Sequence, residues 1–137
     1  MDSQFKLMEK VLNNEGGSIV MINKEKDPPL LVTRLVWPVL NVGNDQMNPG
    51  STLTLFSDGT GRFDCQTLCY KTHSGDTWQH WITLYDQNNN TLFGVGYFYS
   101  PRMDDGNPPP VYTWSAAFTF DASKFASVAK GQAFYSA

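Results

Sequence analysis

The chain has 137 residues, with ten Lys+Arg against thirteen Asp+Glu, a formal charge of −3, 17% charged and 14% aromatic residues. That length suits one domain over residues 1–137, and the composition excludes disorder and coiled coil. An acidic balance with a pI near 5.1 argues against nucleic acid as a partner, and no apolar run approaches the roughly eighteen residues of a membrane span.

The start, MDSQFKLMEK, has no apolar stretch followed by small residues, so no secretory signal is expected and the cytoplasm is the default location. Ser3 suits a helix N-cap, and Phe5, Met8 and Leu12 recur at helical spacing beside Val11. A short first helix is therefore predicted, stopped by Gly16-Gly17. From there the period becomes that of strands. Residues 18–22 and Leu30–Trp37 read as strands, the second limited by Pro38, which has no N–H to give a ladder. Residues 39–42 continue it past a bend. The stretch 43–50, rich in Asn, Gly and Pro, reads as a surface loop.

The clearest hairpin joins residues 51–56 to residues 60–71 through Ser57-Asp58-Gly59. A two-residue turn would set Leu53 against Asp64; a three-residue turn with Gly59 left-handed sets Leu53 against Phe63 and Leu55 against Gly61. The apolar match selects the second, since a one-residue slip would move every side chain to the other face. Its buried face is then Leu53, Leu55, Phe63, Cys65 and Cys69.

A second hairpin, residues 77–86 with 91–99, is expected to pair Leu84 with Phe93, Ile82 with Val95, His80 with Tyr97 and Trp78 with Tyr99. The opposite face pairs Trp81 with Gly96, Thr83 with Gly94 and Tyr85 with Leu92. Rings laid over strand glycines cover bare backbone there. The proline-rich stretch 100–110 is a loop. Residues 111–120 form a long strand with Tyr112, Trp114, Ala116, Phe118 and Phe120 on one face. Asp121 then caps a second short helix, residues 122–130, and residues 132–135 read as a last edge strand.

Short strands joined by Gly/Asn/Pro turns, with a helix near each terminus, predict an all-β fold. The expectation is an antiparallel barrel of about eight strands, with a β-sandwich as the alternative. Such a barrel either fills with side chains or holds one small ligand.

Motifs that name a reaction are absent: there is no phosphate loop, nucleophile elbow or paired carboxylates at fixed spacing. Cys65 and Cys69, four apart in one strand, lie about 13 Å apart and cannot bridge; buried hydrophobes in a reducing compartment is the reading. His73 falls in a loop, and His73, Asp76 and His80 do not share a ligand face. Asp86-x-Asn88-x-Asn90 starts like a calcium loop but has Thr91 and Tyr97 where glycine and an acid belong. Neither metal nor cofactor is expected. The strongest signal is four Trp, six Tyr and nine Phe. Phe63, Trp78, Tyr99, Tyr112, Trp114 and Phe118 are expected to line an interior ligand site, with His80 and Tyr97 as acid–base or orienting groups.

The order Leu53-Thr54-Leu55, Asp58-Gly59-Thr60-Gly61-Arg62-Phe63, Asp76-Thr77-Trp78, Leu84-Tyr85-Asp86, followed by Trp114-Ser115-Ala116-Ala117-Phe118 and Phe125, resembles a family of small bacterial domains of unknown function over roughly residues 50–130. That resemblance implies no activity. More loosely the outline is similar to calycin-like barrels, some of which bind lipophilic ligands and some of which cyclise or isomerise biosynthetic intermediates.

Three functions follow as expectations. The first is a barrel binding an apolar or aromatic small molecule, acting as a cyclase or isomerase if catalytic. The second is a carbohydrate-binding module or lectin, with Trp81, Tyr85 and nearby Asn/Asp loop residues contacting a sugar. The third is a filled barrel working through protein contacts. An interior cavity at His80 favours the first; a solid interior beneath an exposed Trp81–Tyr85 patch favours the second.

Overall fold

The computed structural model describes residues 5–7, 12–13, 20–23 and 30–137. Along them run β1 (Phe5–Leu7), β2 (Leu12–Asn13), β3 (Val20–Asn23), β4 (Leu30–Trp37), β5 (Leu40–Val42), β6 (Asp45–Met47), β7 (Ser51–Phe56) and β8 (Thr60–Cys69). There follow β9 (Gln79–Tyr85), β10 (Thr91–Tyr99), β11 (Tyr112–Thr119), a 3-10 helix (Ala122–Ser127) and β12 (Lys130–Ser136). All ladders among the described residues are antiparallel.

Two sheets result. One has the order β1-β12-β9-β10, with β2 also on β12; the other runs β3-β4-β7-β8, with β11 and the β5–β6 hairpin also joined through β8. Among the described residues neither closes on itself, so the expected calycin-like barrel gives way to an open two-sheet arrangement. The reason lies in the loop 100–111, which carries the chain from one sheet to the other. In consequence β11 pairs with β8 along Tyr112–Thr119 rather than with β10. Asp76 and Met103 form a bridge that fixes this crossover, with N···O distances of 3.0 and 2.7 Å.

The hairpin β7–β8 has the three-residue register: Leu53 faces Phe63, Leu55 faces Gly61, and Gly59 has φ +88. In β11, Tyr112, Trp114, Ala116 and Phe118 pair with Thr67, Cys65, Phe63 and Gly61, the inward row of β8. Phe118 lies across Gly61, where a Cβ would run into its ring. A side chain at Gly61 and that ring exclude one another.

Four expectations change. The first helix is absent where the backbone is described: Phe5–Leu7 is a strand on β12, and the remainder of that helix, outside residues 12–13, lies outside the described residues. A helix that short is marginal alone, whereas β12 offers a ladder. The second helix is a six-residue 3-10 turn, Ala122–Ser127, capped by the Asp121 side chain on Ser123 N at 3.1 Å; Lys130 begins β12 instead. β12 is not an edge, since it lies between β9 and the β1/β2 pair. Lastly, the supposed loop 43–50 contains β6, which pairs with both β5 and the end of β8.

The sheets pack face to face around Leu35, Trp37, Leu53, Phe63, Ile82 and Leu84, all at most 1% exposed. No helix among the described residues is long and apolar enough to cross a membrane.

Candidate functional site

β9 alternates strictly. His80, Ile82 and Leu84 are buried, while Gln79, Trp81, Thr83 and Tyr85 are half-buried on the other side. The period of two that defines a strand thus gives β9 an inner and an outer row.

On the inner side His80 is 0% exposed and stacked on Phe63, with ring centroids 4.7 Å apart and 18° between planes. Its Nδ1 accepts from the Trp78 indole N–H at 3.1 Å. The ring is therefore the Nε2–H tautomer, and that nitrogen has no hydrogen-bond partner. Burial pushes the imidazole pKa down to about 3, because charging a ring enclosed by Phe63, Trp78 and Tyr135 sacrifices its hydration. Trp78 and Phe63 are fully buried, and Trp114 sits inside with its indole N–H on Thr67 Oγ1 at 2.9 Å. Phe118 and Tyr112 are half-buried at the edge of the same layer; the Tyr112 oxygen accepts from Asp104 N at 3.0 Å.

Tyr97 and Tyr99 are not part of that interior. The β9–β10 ladder follows the expected register through Leu84–Phe93, Thr83–Gly94, Ile82–Val95 and Trp81–Gly96. It then shifts between Gly96 and Phe98, so His80 faces Phe98 and Gln79 faces Tyr99. A second shift at Leu92 puts Thr91, not Leu92, against Tyr85. The choice between Tyr97 and Phe98 is a choice of which ring goes inside. Phe98, with no hydroxyl to satisfy, packs between Phe63 and Phe118, both at 5.6 Å. Tyr97 and Tyr99 are left 48% and 59% exposed on the outside. Trp78, expected opposite Tyr99, instead accepts from Ser100 N through its carbonyl. The expected His80–Tyr97 pair is thus divided between two faces.

The outer face carries an ordered set of rings. Phe134 of β12 stacks on Trp81 of β9 at 5.0 Å and 6°, and Trp81 stacks on Tyr97 at 4.6 Å and 19°. The three near-parallel rings form one row across β12, β9 and β10. Polar groups flank them. On one side Tyr85 donates its hydroxyl to Gln132 Oε1 at 2.9 Å, next to Thr83 and the exposed Gly94. On the other, Ser136 donates to Gln79 Oε1 at 3.2 Å, beside Tyr99. The sequence shows Trp81 and Tyr85; Phe134 and Gln132 join them only because β12, expected at an edge, lies inside the sheet beside β9.

Among the described residues, Asp45, Cys69 and Asp76 bring three ligand-type atoms within 4.8 Å of one another. Asp45 and Cys69 are cross-strand partners, a pairing hidden by reading 43–50 as loop. The Cys69 thiol donates toward Lys71 O at 3.3 Å and Asp76 Oδ2 at 3.6 Å. Burial first, then Asp45, pushes its pKa up to about 12, so it is a protonated donor within a closed hydrogen-bonded cluster. Cys65 is likewise buried and held protonated by burial and by Asp64. The Asp86 carboxylate accepts from Asn88 N and Asn90 N, both at 2.9 Å, which accounts for the Asp-x-Asn-x-Asn run as a turn. His73 is exposed.

Residues 52–136 match a family of unknown function, DUF6294, and the chain belongs to it. No curated protein and no solved structure matches the chain.

Proposed function

We propose that this DUF6294 chain is a carbohydrate-binding β-domain whose ligand lies on the outer face of the β1-β12-β9-β10 sheet. The observation that carries the reading is the row Phe134–Trp81–Tyr97 with amide and hydroxyl groups on both sides of it. Sugar rings offer apolar C–H faces and a rim of hydroxyls, and that face offers aromatic surface with amides and phenols to match. Exposed aromatic surface bordered by polar groups marks a binding site more often than chance. The interior alternative rested on His80 facing Tyr97, and the two stand on opposite sides of the sheet.

The test is titration with a panel of soluble oligosaccharides, followed by tryptophan fluorescence. Trp37, Trp78 and Trp114 are buried and Trp81 is half-buried, so a ligand on this face perturbs one of the four indoles most. Tyr97→Ala, at an exposed position, should weaken binding by at least about tenfold with an unchanged melting curve. No response to any oligosaccharide, or equal binding by Tyr97→Ala, overturns the proposal.

A further inference from the structure

On the opposite outer face, strands β6 and β7 lie along the same side of β8 but do not meet. Met47 faces Thr67 and Thr52 faces Asp64, so residues 48–51 span a gap opposite only Cys65 and Gln66. Four residues cannot stay in a ladder over the space of two. The chain arches out instead, through Pro49, which has no N–H, and Gly50 at φ +99. The arch leaves a groove of about 340 Å³, lined by Asn48, Asp64, Cys65, Gln66 and Thr113 together with the arch residues 49–51. That volume lies in the range of small-ligand sites.

The polar groups are held in place. Gln46 Nε2 donates to Asn48 Oδ1 at 2.9 Å, and Asn48 Nδ2 donates to Gln66 Oε1 at 3.3 Å. Both amides are oriented, with the Gln66 Nε2 and the second Asn48 N–H left as donors. Asp64 accepts from Arg62 Nε through Oδ1 at 2.8 Å, leaving Oδ2 as an acceptor, and the exposed Thr113 lines the same groove. Among the described residues one carboxylate and no cation line the groove, so an anion is repelled; that carboxylate already has a guanidinium partner, so a cation has little to gain. No aromatic ring stands in the lining among the described residues, which disfavours a flat apolar ligand.

We infer that this groove binds a small neutral polyhydroxylated molecule, a single sugar ring or a polyol, independently of the aromatic face. Neighbouring hydroxyls, each donor and acceptor, match alternating amide donors and carboxylate and hydroxyl acceptors. The experiment is an NMR titration of the whole chain with glucose, galactose, mannose, N-acetylglucosamine and inositol at millimolar concentration, following the side-chain amides of Asn48 and Gln66. One of the five should shift both amides saturably. Asp64→Ala should weaken that binding at least about tenfold, Thr113→Trp should block it, and Tyr97→Ala should leave it unchanged. No saturable shift at either amide overturns the inference, as does undiminished binding by Asp64→Ala. Shifts confined to the surroundings of Trp81 also overturn it, while leaving the aromatic face as a site.

Discussion

Trp78 donates its indole N–H to Nδ1 of His80 at 3.1 Å, two residues along the chain, and so determines which imidazole nitrogen keeps a hydrogen. The other nitrogen is buried without a partner. His80 therefore acts as a neutral ring packed on Phe63.

That neutrality makes stability depend on pH. The folded pKa, about 3, lies below the ordinary value of 6.5. Between those values the unfolded chain binds the proton and the folded chain does not, so acid favours unfolding. The contribution is complete above about pH 6.5, declines as pH falls toward 3, and is on the order of a few kcal/mol. Urea midpoints should fall from about pH 7 to about pH 5, above the range where carboxylates titrate. His80→Leu should flatten that slope whatever its effect at neutral pH; an unchanged slope would show that another group is responsible.

Thr33 is 0% exposed and its Oγ1 has no hydrogen-bond partner. Valine has nearly the same shape without the buried hydroxyl. Thr33→Val should stabilise the fold by about 1 kcal/mol in denaturant titration. A loss of stability would reveal a role for that oxygen.

A Cβ added at Gly61 would run into the Phe118 ring and stand 3.0 Å from Thr54 O. The backbone there cannot yield. Gly61→Val should cost about 1–3 kcal/mol, whereas Gly50→Ala, with nothing within 4 Å of its Cβ, is opposed only by its positive φ. Equal stability of Gly61→Val and the parent would mean that the ring is not seated on the strand.

Neither thiol should react in the native state. Cys65 and Cys69 are free and buried, and both are held protonated well above neutral pH. Because the thiolate is the nucleophile, Ellman's reagent should titrate no thiol in buffer and two in denaturant. Rapid labelling of the native chain would contradict the Asp45–Cys69–Asp76 arrangement.

Local alternation was sufficient to determine the all-β character, the register of β7 on β8, the left-handed Gly59 and the inward row Tyr112–Trp114–Ala116–Phe118, because each depends on residues close in sequence or joined by a short turn. Competition between distant segments decided the rest. Whether Tyr97 or Phe98 turns inward depends on Phe63 and Phe118, which arrive from other strands. The open sheets, the central place of β12 and the gap beside β8 all depend on which strand completes which ladder. A hydrogen-bond ladder is satisfied by any backbone of the right direction, so the side chains of one segment do not name its partner. The ring row and the groove are both products of those pairings.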